Sequence, residues 1–464
     1  MELKDWLGEN NQIGQDIWHK KYQYDNETFD QWLDRVSGGN ADVRKLIEEK
    51  KFLFGGRILS NRGLEKLGKK ITLSNCYVIT PPDDNIESIF DCGKKLARTF
   101  SYGGGCGIDI GKLRPRNAKV NNSAEKSTGA VSFMDLYSDI TGTISQNGRR
   151  GALMISIPCD HPDLEEFIDV KTDLDKVTKA NISIRITDDF MKAVKNKDKF
   201  MLKFESGNEE IIKEVDAYKL FHKICENNWN YAEPAMLFWD RIEKWNLLSG
   251  YDDFEYAGVN PCAEEPLPAG GSCLLGSINL SEFIKYNDTN LPYFDFYGFD
   301  RTVRSAVVGL NEVLDEGLSL HPLTEQQDSV RDWRQIGLGI MGLADMLIKM
   351  RYTYGDEDSI ILCGAIGKAM INSAVQASVE LAREKCSFPK YDYDKFIMSN
   401  FAISNLTDAT LNLVEAFGIR NSQLLTTAPT GTISTMLGIS GGIEPIFANY
   451  YTRKTESLHG KDKY

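Results

Sequence analysis

The sequence predicts an α/β protein with a helical N-terminal region, on three observations. Beyond Gly148, short β-type runs (A-L-M-I-S-I-P, N-I-S-I-R-I, K-F-M-L-K-F, A-M-L-F-W) alternate with helical segments at 163–171 and 187–196, the texture of strands joined by helices. Upstream, two amphipathic stretches flank a Gly-rich turn. Residues 1–70 are charged and helical in pattern, with Trp18, Tyr22, Phe29, Trp32 and Val36 at loosely helical spacing before Gly38 and Gly39.

Composition sets limits on function. A chain of 464 residues, 42% hydrophobic and 26% charged, can bury a core and is neither disordered nor fibrous. Its 67 acidic and 54 basic residues leave a net charge of -13. That charge disfavours nucleic acid and anionic membranes, so an anionic ligand must be held locally. The start, M-E-L-K-D-W-L-G, lacks a signal-peptide core, and no run is read as approaching the roughly 18 apolar residues of a membrane span, so a cytoplasmic protein is expected. The 9 cysteines are scattered, with no C-x-x-C pair and no Cys/His cluster at zinc spacing. Neither a disulfide scaffold nor a structural metal site is expected.

The first amphipathic stretch, 85–100, carries Ile86, Ile89, Phe90, Leu96 and Phe100; the second, 131–144, carries Val131, Met134, Leu136, Tyr137, Ile140 and Ile144. Between them S-Y-G-G-G-C-G-I-D-I-G-K-L-R-P-R combines glycines with basic residues, suited to close approach of an anion. Further helices are expected at 302–318, 341–350 and 359–385, and Q-L-L-T-T-A-P leads into P-T-G-T-I-S-T-M. With no repeat and no Pro/Ser-rich linker, two regions are expected: helical 1–70 and one large domain, 71–464.

A lone cysteine is ordinarily a small buried hydrophobe, but three stand in unusual company. Cys262 lies in N-P-C-A-E-E, where Asn260 and Glu264, two residues away on either side, would share its face in an extended loop. Cys273 follows a Pro/Gly-rich turn in G-G-S-C-L-L-G-S-I-N-L, and Cys76 stands in L-S-N-C-Y-V-I. The turn A-P-T-G-T-I-S, with Pro429, Thr430, Gly431, Thr432, Ile433 and Ser434 ahead of a predicted helix, reads equally as an anion-binding nest or as an ordinary capped helix start.

These motifs, with N-G-R-R-G-A-L and R-Q-I-G-L-G-I-M-G-L-A-D, occur in the order found in the catalytic subunit of ribonucleotide reductases, which the chain resembles from about Phe54 onward. The resemblance implies a ten-stranded α/β barrel of two five-stranded halves with a central finger loop carrying Cys262. It implies a thiyl radical on Cys262 that abstracts the ribose 3′ hydrogen, Glu264 as general base for the 3′ hydroxyl, and Asn260 holding the sugar. Cys76 and Cys273 would supply two electrons and end as a disulfide. Asn75, Gly105 and the 429–434 turn would hold substrate. The preceding F-G-G-R-I-L, with Gly56 and Arg57, departs from the family pattern.

The resemblance also implies a deoxynucleotide or ATP effector at Asp83 and Arg114, with Arg149 and Arg150 relaying its identity to substrate choice. A homodimer through helices 85–100 and 131–144 and a thioredoxin-like reductant are implied as well. N-P-C and G-S-C-L-L-G-S-I-N-L are more similar to the adenosylcobalamin-dependent branch; the alternative is a metal-containing partner subunit as radical source. Tyr450 and Tyr451 read as packing residues, and no N-terminal overall-activity domain is expected. Diphosphate and triphosphate substrates stay open. The polar end, R-K-T-E-S-L-H-G-K-D-K-Y, reads as a linker, so a second polypeptide completing the barrel is expected. A catalytically inactive nucleotide-binding fragment is the competing reading.

Overall fold

Runs that bury both faces become parallel strands. In the computed structural model, which describes residues 1–121, 123–144, 151–206 and 209–453, five of them lie side by side in sequence order, all parallel: Cys76–Val78, Gly105–Asp109, Leu153–Pro158, Ala180–Ile186 and Ala235–Phe238. Cys76 stands opposite Gly105, and Cys106 opposite Leu153. They belong to a compact unit of residues 76–271 and 322–326, and the fold is the expected α/β class.

Parallel pairing requires crossovers, and the crossover helices cover one strand face. Cys106, Ile108, Ile155, Ile157, Ile182 and Ile184 are buried there with Leu96, Phe100, Tyr137, Phe167 and Phe190. Helix Ile86–Ser101 is capped by Asn85, whose side chain accepts from Ser88 N at 2.8 Å. Helix Asp188–Asn196 is capped in the same way by Thr187. The opposite strand face carries small residues. A Cβ on Gly107 would overlap the carbonyl oxygen of Val259, so glycine lets the segment around Val259 lie directly on the strands. K-F-M-L-K-F is a strand, as expected, but Lys199–Ser206 pairs antiparallel with Glu209–Asp216 in a separate hairpin. A period of two cannot distinguish the two kinds of pairing.

The second unit gathers residues 1–75, 272–321 and 327–464, so the N-terminal helices share a unit with much later parts of the chain. Phe52–Phe54 pairs antiparallel with Leu275–Asn279, which pairs parallel with Gly337–Met341. A parallel bridge joins Leu338 to Leu425. Trp6, Trp18, Phe29 and Trp32 form an aromatic cluster. Helix Phe29–Ser37 opens with a Thr28/Gln31 capping box and closes on left-handed Gly38. Arg62, 2% exposed, donates to Glu316 at 2.8 and 2.6 Å and to Val36 O at 2.9 Å. Asn11 caps helix Gln12–Ile17 and donates from Nδ2 to Met436 O at 2.9 Å.

Contrary to the sequence reading, one helix, Glu357–Lys385, is long and apolar enough to cross a membrane, with an 18-residue window of mean hydropathy 1.4. Its polar contacts are those of a core helix. Ser373 Oγ donates to Asp300 at 2.6 Å, Asn372 Nδ2 to Asn405 O at 2.9 Å, and Ser378 Oγ to Asn421 at 2.8 Å.

Candidate active site

Strand Gly258–Val259 pairs antiparallel with Pro266–Leu267, and this short ladder closes the loop that carries N-P-C-A-E-E. The loop is a tight turn, where an extended segment was expected. Ala263 N donates to Asn260 O at 2.9 Å, Asn260 N to Glu265 O at 3.2 Å, and Glu265 N to Asn260 Oδ1 at 3.0 Å. Ala263 takes φ +66°, the left-handed region that costs a non-glycine residue about 1–3 kcal/mol and is sustained by surrounding contacts. The turn brings Asn260 and Glu264 together: Nδ2 donates to Oε2 at 2.7 Å. Asn260 is fully buried, Glu264 half-buried and Cys262 exposed.

Contacts from the strands fix this turn. Asn181 Nδ2 donates to Pro261 O at 3.0 Å. A Cβ on Gly105 would stand 3.1 Å from the Pro261 ring and 3.3 Å from Cys76 Sγ, so Gly105 makes room for both the turn and the thiol. Although Cys262 as a residue is exposed, desolvation pushes its thiol up to about 12, with the Glu264 and Cys76 charges adding to it. Burial also raises the Glu264 carboxyl, partly opposed by the Asn260 hydrogen bond. The site therefore holds a sulfur that keeps its hydrogen at neutral pH beside a carboxylate of raised basicity.

The other predicted residues fall as follows. Cys76 is a half-buried free thiol. Asn75 and Cys273 belong to the second unit, where Asn75 N donates to Cys273 O at 3.0 Å and Cys273 is fully buried. In the same unit, Thr430 has φ +52° and opens helix Gly431–Leu437, whose first internal bond is Ser434 N to Thr430 O at 2.9 Å. Thr430 Oγ1 accepts from Gly442 N at 2.9 Å. Pro429 and Gly431 are exposed and Thr432 half-buried, while Ile433 and Ser434 are buried, so the main chain and Thr432 face outward. A cavity of about 330 Å³ lined by Leu338, Ile340, Cys363, Met370 and Thr427 also lies in this unit and includes no residue of the Cys262 turn.

Asp83 and Arg114 do not form a direct pair in the contacts described. Arg114 donates to the neighbouring carboxylate, Asp84, from Nε at 2.7 Å and from its main-chain N at 3.0 Å, and from Nη1 to Lys119 O at 2.7 Å. Asp83 is exposed and lies 3.7 Å from Lys112. Arg149 and Arg150 lie outside the described residues. Sequence reading missed Asn181 and Asp84. Neither stands in a motif that the sequence singled out for chemistry: Asn181 belongs to the run N-I-S-I-R-I, and Asp84 follows Asp83.

The fold and site define an α/β half-barrel frame with a thiol turn seated on its strand face. The chain belongs to the ribonucleotide reductase family: the family described as "Ribonucleotide reductase, barrel domain" matches residues 74–462. The chain is 33% identical over 447 residues to a vitamin B12-dependent ribonucleoside-diphosphate reductase of Thermoplasma acidophilum, covering 94% of this chain and 54% of the relative. It is 31% identical over 439 residues to the enzyme of the same name from Mycobacterium tuberculosis, covering 94% and 58%. The chain thus spans little more than half the length of these curated relatives. The fold is shared with a class Id ribonucleotide reductase alpha subunit of Actinobacillus ureae, with TM-score 0.76 at 20% identity over 96% of this chain and 77% of that one.

Proposed function

We propose that this chain carries the catalytic centre for reducing a ribonucleotide to its 2′-deoxyribonucleotide. The observation that carries the reading is the turn itself: an exposed Cys262 that stays protonated, a raised Glu264 bonded to Asn260, and Cys76 close by. A thiyl at Cys262 takes the ribose 3′ hydrogen and later returns it, which requires a sulfur that otherwise remains S–H. Glu264 accepts the 3′ hydroxyl proton while Asn260 orients its carboxylate. Cys76 and Cys273 together give up two electrons and two protons; the 2′ oxygen leaves as water, and a disulfide remains for an external dithiol of the thioredoxin kind to reduce.

Adenosylcobalamin fits the site in one respect the chain itself supplies: Cys262, the residue that must be oxidised, is exposed. When bound, the cofactor supplies the one-electron oxidant. The relatives' names favour it over a separate metal-containing subunit, and they favour a nucleoside diphosphate as substrate. Gly431 and Thr432 would hold the substrate phosphate, with Pro429, Thr430, Ile433 and Ser434 shaping the turn and Asn75 and Gly105 bordering the sugar. Asp83 and Arg114, with Arg149 and Arg150 beyond them, would form the site for a deoxynucleoside triphosphate effector. Ile86 and Phe90, 53% and 56% exposed on their helix, favour a homodimer through 85–100 and 131–144.

The test is an assay of the intact chain with a ribonucleoside diphosphate and a dithiol, with adenosylcobalamin in one arm and a metal-loaded radical subunit in the other. Deoxynucleotide from wild type and none from Cys262→Ser is the expected result. Binding without product in both arms would favour the inactive-fragment reading.

A further inference from the structure

Asp163 is a 6% exposed carboxylate in the turn after strand Leu153–Pro158, and nothing in the chemistry above uses it. Its oxygens accept from Arg116 N at 2.9 and 3.1 Å, and Oδ2 also accepts from Ala130 N at 2.9 Å. One side chain therefore ties together both ends of segment 114–130, which begins with Arg114. Gly129, between the two tie points, has φ +91°, and a Cβ there would stand 2.7 Å from Asp163 Oδ2. His161 holds the carboxylate in turn: Asp163 N donates to its Nδ1 at 3.0 Å, and its Nε2 lies 2.9 Å from Leu113 O. A carbonyl only accepts, so Nε2 carries the hydrogen and the ring is neutral. At the segment's start, the Arg116 guanidinium pairs with Glu166.

A buried carboxylate satisfied by main-chain N–H groups cannot release them without leaving a desolvated charge unpaired. That makes Asp163 a rigid anchor for a segment whose described residues form neither helix nor long strand. We propose that Asp163 is the positioning residue of the effector site, fixing 114–130 so that Arg114 meets the triphosphate of a deoxynucleotide. This rests on the effector reading above and assigns Asp163 no part in the reduction itself.

The test uses the full chain and thymidine triphosphate as probe. Calorimetric affinity is compared among wild type, Arg114→Ala and Asp163→Asn, with amide exchange at Arg116 and Ala130 and the thermal midpoint followed in parallel. Asp163→Asn is expected to weaken binding roughly ten-fold, the scale of one lost charge-assisted hydrogen bond, and to speed exchange at those two amides. If that variant does not fold, Gly129→Ala disturbs the same contact from the segment's side and is expected to weaken binding likewise. Affinity left intact in the folded variant, with only the thermal midpoint lowered, overturns the inference while Arg114→Ala still weakens binding. If Arg114→Ala binds like wild type, or wild type does not bind, the effector reading fails and takes the inference with it.

Discussion

Asn260 donates to Glu264 across 2.7 Å while its own carboxamide oxygen accepts from Glu265 N, so one buried amide both closes the turn and aims the carboxylate. Asn260→Ala removes both bonds and takes this donor from Glu264. Turnover is expected to fall by roughly a hundred-fold or more, the scale of a mispositioned general base. Steady-state kinetics check this. Asn260→Asp retaining full turnover would count against an aiming role for the amide.

Cys262→Ser, Cys76→Ser, Cys273→Ser and Glu264→Gln each alter chemistry at little cost in volume. Each is expected to abolish multiple turnover while nucleotide affinity stays within about three-fold of wild type. Product quantitation beside equilibrium binding separates the two quantities. Retained multiple turnover in Cys262→Ser would falsify the thiyl proposal.

The pH profile follows from two raised groups. Burial lifts Glu264 above its ordinary 4.5, so the ionised base appears as pH rises through that higher value, and activity should climb on an acid limb displaced upward. For stability the sign is opposite: the contribution from protonated Glu264 is present at low pH and is lost as pH rises through the folded-state value. Cys262, pushed up to about 12, keeps its hydrogen through the neutral and mildly alkaline range and should produce no alkaline limb there. A kcat profile and a parallel denaturation series from pH 4 to 9 test both signs.

Asn181→Ala deletes the donor to Pro261 O, the carbonyl just ahead of Cys262. A fall in kcat with thermal stability changed by no more than about 1 kcal/mol is expected. An unchanged kcat would show that the ladder at 258–267 is sufficient to place the thiol.

Gly107→Ala drives a Cβ into Val259 O. Overpacking of this kind costs about 1–3 kcal/mol, and here the backbone that must move leads into the Cys262 turn. Loss of activity exceeding the loss of fold is expected, measured as turnover per folded molecule.

The sequence made the parallel strands and crossover helices legible because a run such as L-M-I-S-I has only one economical place, buried on both faces. The candidate catalytic set was legible because Asn260, Cys262 and Glu264 lie within five residues. What it hid was conformation and pairing by single positions. The left-handed Ala263 that converts an extended segment into a turn carries no glycine to announce it. The contact of Arg114 with Asp84 is likewise not announced by any spacing. Helix 357–385 was legible to within two residues at its start, but its polar anchors were not, because they come from other elements, such as Asn405 and Asn421.

The bond from Asn11 to Met436 bears on how the polypeptide matures on the ribosome. Asn11 is synthesised more than four hundred residues ahead of its acceptor. The unit holding both is therefore assembled from three separated stretches, while the one carrying the Cys262 turn is nearly all a single uninterrupted stretch, 76–271. The inserted stretch can acquire structure during translation, because its contacts are near in sequence. The surrounding unit must wait with its aromatic N-terminal helices unfinished. In vivo, the interval before residue 436 emerges is when this chain most needs a chaperone, and slowing elongation late in the message should lower soluble yield more than slowing it early.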